Sequence, residues 1–161
     1  MQIRPEEPID EPAVRAILLQ CFPGPDEARL VDQLRSRGDA EIMLVALEDG
    51  KPVAFVALSR MRAPFKALGL APVAVLPEYR NRGLAAELIL RALADARSAD
   101  WKGVFVLGDP EYYNRFGFSI EAAHGFKSPY AGPHFMALAL DGDRLPATSG
   151  AVEYAPAFSN L

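Results

Sequence analysis

The stretch from Leu70 to Ala96 allows few ways of folding. Leu70 to Leu76 is an apolar run with β-branched Val73 and Val75 at alternate positions, the pattern of a buried strand. Pro77 cannot continue a strand ladder, so the chain turns there. Arg80-Asn81-Arg82-Gly83-Leu84-Ala85 follows, and behind it Leu84, Leu88, Ala92 and Ala96 recur every four residues, which predicts a helix. Gly83 and Ala85 leave little bulk where turn becomes helix. A strand, a small-residue turn and a helix N-terminus gather free backbone N–H groups and the positive end of a helix dipole at one point. Arg80 and Arg82 flank that point, where they suit either a bound polyphosphate or solvated surface charge.

The flanking elements fit one mixed sheet. Met1 to Arg4 is a short candidate strand, and Asp10 can cap a helix carrying Val14, Ile17, Leu18 and Cys21, ended by Phe22-Pro23-Gly24-Pro25. A second helix, about Asp26 to Arg37, buries Leu30, Val31 and Leu34 and stops at Gly38. Glu41–Glu48 and Pro52–Arg60 are strands joined through Asp49-Gly50, a strong hairpin signal. After the central helix, Lys102-Gly103 turns into the apolar strand Val104–Leu107. A strand, a crossover helix and a second strand of this kind should be parallel and right-handed. Asp109 is set to cap a short helix Glu111–Phe116 with Pro110 in its first turn, Gly117 ends it, and Phe118–Glu121 starts a further strand. His124–Pro133 reads as a loop and Phe135–Leu140 as the last clear strand. The tail 141–161 docks through Val152, Tyr154 and Phe158. The expected class is α/β with a mixed sheet, antiparallel N-terminal strands leading to a central parallel pair. Residues 1–140 form one domain carrying the tail.

Composition narrows the function. With 161 residues there is room for one domain with a substantial core. A net charge of −4 argues against an electrostatic nucleic-acid binder. No apolar run reaches the ~18–20 residues that a membrane span needs, and MQIRPEEP lacks a secretory-signal pattern. The lone Cys21 excludes an internal disulfide, and a cytoplasmic location is expected. No metal-ligand spacing is present, and His124 and His134 stand alone.

Val73-Ala74-Val75, Pro77 and then Arg80-x-x-Gly83-x-Ala85 resemble the acyl-CoA-binding motif [Q/R]-x-x-G-x-[G/A] of the GNAT N-acetyltransferase superfamily. Tyr113-x-x-x-Gly117-Phe118 resembles that family's Tyr-x-x-x-Gly-Phe signature. Gly108-Asp109-Pro110, the aromatic block at 112–118 and the Val152-x-Tyr154-x-x-Ala157-Phe158 tail are similar to its YhbS-like branch. The resemblance implies the GNAT fold, with the central parallel strands splayed around CoA. It implies acetyl-CoA as co-substrate, with the Val73 N–H near the thioester oxygen and the Val75 backbone pairing with pantetheine beside Ala74. The backbone of Asn81, Arg82, Gly83, Leu84 and Ala85 would cradle the pyrophosphate, with Arg80 close by. It also implies Tyr113 as the acid that protonates the departing thiolate, a homodimer as a common assembly, and acceptor choice at the Phe22–Asp26 connection; the inferred topology sets the His124–Pro133 loop on the other side of the same cleft.

Acetyl transfer needs a held donor, a neutral amine, stabilised charge on the thioester oxygen and a proton for the leaving thiolate. Many members of the superfamily place a carboxylate near the central strand to deprotonate the amine. Here Ala67–Leu76 contains no Asp or Glu, and Asp109 and His124 fit a helix cap and a loop residue, so no general base is assigned. The expected activity is transfer to an unidentified primary amine, with no metal. A non-catalytic acyl-CoA sensor is the alternative, and a purely structural α/β domain is the weakest reading.

Overall fold

A computed structural model describes residues 1–161. Its main sheet has six strands in the order β1 (Gln2–Pro5), β2 (Ala40–Glu48), β3 (Lys51–Met61), β4 (Ala67–Val75), β5 (Gly103–Leu107) and β7 (Phe135–Ala139). Every pairing is antiparallel except β4–β5, which is parallel, as a strand–helix–strand crossover requires. Asp49 and Gly50 both have positive φ, 50° and 80°, the conformation of a tight two-residue hairpin.

Helices cover both faces. α3 (Leu84–Ser98) lays Leu84, Leu88, Ala92 and Ala96, all buried, on a cluster that includes Val56, Leu68, Leu70, Val104 and Val106. On the opposite face α1 (Glu11–Cys21) and α2 (Asp26–Ser36) bury Val14, Ile17, Leu18 and Val31 against Val45, Phe55, Ala57 and Ala74. Alternate residues of the central strands thus serve two cores, which is why these strands are apolar throughout.

The parallel pair is short. β4 and β5 pair only at Ala67–Gly103, Leu68–Val104 and Gly69–Phe105, and beyond Gly69 they part. β4 also carries an extra residue there, since Leu70 to Val73 stands opposite Leu58 to Val56. The Ala71–Pro72 peptide within this bulge is cis.

Three local expectations need correction. Asp10 does not cap α1. Its carboxylate turns back to accept from the Glu7 N–H at 2.8 Å and from Arg4 Nη1 and Nη2 at 2.6 and 3.1 Å, closing the 3-10 turn before the helix. The Arg4 hydrogen bond, with smaller help from the Glu7 N–H, holds the Asp10 pKa below its usual range against burial. Phe118–Glu121 is not a strand. Ser119 makes one isolated bridge to Ala137, then its Oγ accepts from the Ala122 N–H at 3.1 Å and starts the short helix α5 (Ile120–Ala123). The stretch 124–133 is not loop alone, because β6 (Phe126–Lys127) pairs in parallel with β8 (Gly150–Ala151) of the tail. The tail then closes over α2, packing Ala155, Ala157 and Phe158 on Leu30 and Leu34.

Candidate active site

The parting of β4 from β5 makes the site. The Leu76 N–H donates to Val53 O at 2.9 Å, so along β4 alternate residues face β3 and the ones between face away. Val73 and Val75 therefore turn their N–H and C=O groups into the parting, where β5 no longer pairs. The Val75 carbonyl is already taken, by Arg80 Nε at 2.9 Å and by the Cys21 thiol at 3.3 Å. Cys21 is accordingly half-buried against the site strand, a place that no feature of the helix pattern revealed.

At the C-terminal end of β4 the chain turns through Asn81 at φ 64° and Gly83 at φ 79°, both left-handed, and enters α3. No side chain caps this helix, and the first intrahelical bond at its entrance is Glu87 N–H to Gly83 O at 3.0 Å. The N–H groups preceding Glu87 have no such partner, and a Cβ on Gly83 would meet nothing within 4 Å. The result is an open, uncapped N-terminus on a fifteen-residue helix. Asn81, Arg82 and Gly83 are exposed, Leu84 is buried, and the Arg82 guanidinium lies 5.2 Å from the centre of the Tyr79 ring. Arg80 is exposed, and its Nε donates to the Val75 carbonyl, a partner that sequence alone could not supply.

Tyr113 stands on α4 (Pro110–Tyr113), which Asp109 caps by accepting from the Glu111 N–H at 3.0 Å. Its ring occupies the space over Gly108 just past β5, where a Cβ on Gly108 would come within 2.6 Å of it. Tyr112 meets it edge-on at 5.1 Å, and Phe118 at 5.9 Å. Burial, with a smaller contribution from Tyr112, pushes the Tyr113 hydroxyl up to about 12, so it stays protonated at neutral pH. Tyr112 packs on Phe116 under the Arg115 guanidinium. His124 is exposed at the end of α5, and His134 Nδ1 lies 3.2 Å from Gly108 O.

A second tyrosine mirrors Tyr113 from the opposite face, and sequence reasoning gave it only a docking role. Tyr154 of the tail lies over Gly69, the last β4 residue paired with β5, and a Cβ there would sit 2.5 Å from its ring. Phe158 and Tyr130 flank it at 5.0 and 5.5 Å. The Tyr154 hydroxyl and Ser59 Oγ are the two buried side-chain polar atoms without a hydrogen-bond partner. Ser59 is the β3 residue paired with Gly69. Two glycines, Gly69 on β4 and Gly108 just past β5, were the available signal, but nothing local says which ring covers each.

The chain has relatives of known family and fold. Residues 11–118 match the family described as Acetyltransferase (GNAT) family. The chain is 37% identical to the N-acetyltransferase YhbS of Escherichia coli K12 over the whole of both chains. It is similar to the crystal structure of E. coli YhbS in complex with CoA, with a TM-score of 0.92, 35% identity, and 98% and 91% of the two chains covered. A GNAT acetyltransferase from Brucella melitensis in complex with acetyl-CoA matches at a TM-score of 0.82 and 32% identity, covering 98% and 97%. The chain belongs to the GNAT acetyltransferase family, and it is an N-acetyltransferase, an enzyme of the acyltransferase class.

Proposed function

We propose that the chain holds acetyl-CoA along the free side of β4 and passes its acetyl group directly to a primary amine. The observation that carries this is the uncapped α3 N-terminus standing at the open end of a strand whose Val73 and Val75 backbone faces an unpaired gap. Pyrophosphate would lie on the N–H groups of Asn81 to Ala85, where helix-end partial charge and unpaired donors favour an anion. Pantetheine would run along Ala74 and pair with Val75, through its N–H while Arg80 keeps the carbonyl. The Val73 N–H would meet the thioester oxygen as charge grows on it. Solved relatives with CoA and acetyl-CoA bound support this donor.

Tyr113 would then give its proton to the thiolate as the C–S bond breaks. Its ring packs on the α3-face core over Gly108, just past β5, and it holds its proton firmly. No Asp or Glu lies on β4, and Asp109 is engaged as a helix cap, so the amine arrives neutral or loses its proton to water. The acceptor would approach between the Phe22–Asp26 connection and the His124–Pro133 loop. A cytoplasmic setting suits acetyl-CoA and the single cysteine. Titration with CoA by calorimetry, followed by thiol release from acetyl-CoA across a set of primary amines, tests the reading. Tight CoA binding without thiol release would favour the sensor instead.

A further inference from the structure

We propose that Tyr154, delivered by the C-terminal tail, limits the acyl chain that the enzyme accepts by closing the strand gap just beyond the acetyl group. The inference rests on the donor placement above. With pyrophosphate at α3 and pantetheine running from Val75 to Val73, the acyl end of the thioester points back along β4 towards Gly69. Gly69 is where the gap ends, because it is the last β4 residue paired with β5. The Tyr154 ring fills the tail side of that closed end, within 2.5 Å of where a Gly69 Cβ would stand. It is fixed there by Phe158 at 5.0 Å and Tyr130 at 5.5 Å. Ala71, two residues before Val73, packs with Tyr154 against the same cluster of Leu30, Leu34 and Phe158, so the obstruction extends towards the reacting carbonyl.

The chemistry of this closed end also disfavours alkyl chains. Ser59 Oγ, on the β3 residue paired with Gly69, and the hydroxyl of Tyr154, whose ring covers Gly69, are both buried without partners. An acyl chain pushed past Gly69 would have to move packed rings and would satisfy neither hydroxyl. Burial first, then Tyr130 and Tyr113, raise the Tyr154 pKa, so the phenol at this wall is neutral. An acetyl methyl stops short of this wall, whereas two more methylenes run into it.

Calorimetric titration with CoA, acetyl-CoA and butyryl-CoA tests the proposal without any acceptor. Wild type should bind butyryl-CoA at least about tenfold more weakly than acetyl-CoA. Tyr154→Ala should recover most of that difference by gaining butyryl-CoA affinity, with CoA affinity unchanged. Tyr154→Phe should keep the discrimination, because the ring and not the hydroxyl is the wall. Should Tyr154→Ala lose its cooperative melt, Tyr154→Leu keeps an apolar anchor in the tail and carries the same expectation. Equal affinities in wild type overturn the proposal, as does an unchanged ratio in the folded small-residue variant, or loss of discrimination in Tyr154→Phe. Wild type that fails to bind CoA overturns the donor placement, and this inference with it.

Discussion

The two sides of the strand gap are built in opposite ways. The proposed donor side is one continuous piece of chain, Leu70 to Ala85, and its candidate binding groups are backbone N–H groups positioned by a turn with two left-handed residues and an uncapped helix. The far side is assembled from distant segments: β6, β8, the bridge between Arg62 and Glu153, and the 156–160 turn on α2 together carry one side chain, Tyr154, to Gly69. Backbone sites tolerate side-chain change as long as the conformation survives. A site made by one delivered side chain does not, so variants on the two sides should fail differently.

The largest effect should come from Tyr113, which lies outside both pieces and whose proposed role needs its side chain. Tyr113→Phe keeps the ring over Gly108 and removes the proton, and kcat should fall by about 10²–10⁴ while acetyl-CoA affinity barely moves. Because burial holds the hydroxyl up to about 12, wild-type kcat should lose nothing to its ionisation between pH 7 and 10. Near-normal turnover of Tyr113→Phe, measured where chemistry limits the rate, would leave Tyr113 only its packing.

Gly83→Glu attacks the backbone cradle itself. At φ 79° a side chain costs about 1–2 kcal/mol in conformation, and no atom within 4 Å blocks the Cβ, so the fold should persist. The carboxylate, however, would occupy the anion site, and CoA affinity should drop by more than about a hundredfold. Calorimetry showing wild-type affinity would place the pyrophosphate elsewhere.

Smaller changes belong to the acceptor side. Replacing the Phe22–Asp26 connection or the His124–Pro133 loop should shift amine preference by about tenfold, the scale of one or two altered pocket contacts, and leave CoA affinity almost unchanged. Competition between paired amines gives the measurement. Selectivity that survives both replacements would put the acceptor's route elsewhere.

This asymmetry also explains what the sequence made legible. The strand, Pro77, Gly83 and the four-residue spacing of α3 are local signals, and each corresponds to an observed element. Asp109 and Gly117 likewise mark the ends of the helical turn that carries Tyr113. Asp10 misled because a carboxylate beside a helix start resembles a cap, and only the fold brings Arg4 close enough to claim it. Ser119 misled in the other direction, since one hydroxyl on the Ala122 N–H diverts a strand-like run into a helix. β6 and β8 have two residues each, too few for any periodicity. Their pairing and the meeting of Tyr154 with Gly69 are long-range events that no window along the chain can show.

The finest effect separates a structural tail from one with a function. If the Tyr154 hydroxyl were an ordinary structural donor, Tyr154→Phe would destabilise the protein. It has no partner, and burying such a group costs about 1–3 kcal/mol. Removing it should therefore raise the melting temperature of the free protein, by about 2–4 °C for each kcal/mol recovered in a chain of this size. Alkaline pH should widen the difference. The Tyr154 pKa is raised in the fold, so wild type loses nothing to its ionisation below about pH 10, where an unfolded tyrosine starts to ionise, and loses stability as pH rises from there towards the folded value. Phenylalanine has no proton to lose, so Tyr154→Phe should gain more over wild type at pH 11 than at pH 8. Thermal melts at the two pH values decide it, and a variant that melts lower than wild type at pH 8 would mean the hydroxyl is satisfied after all.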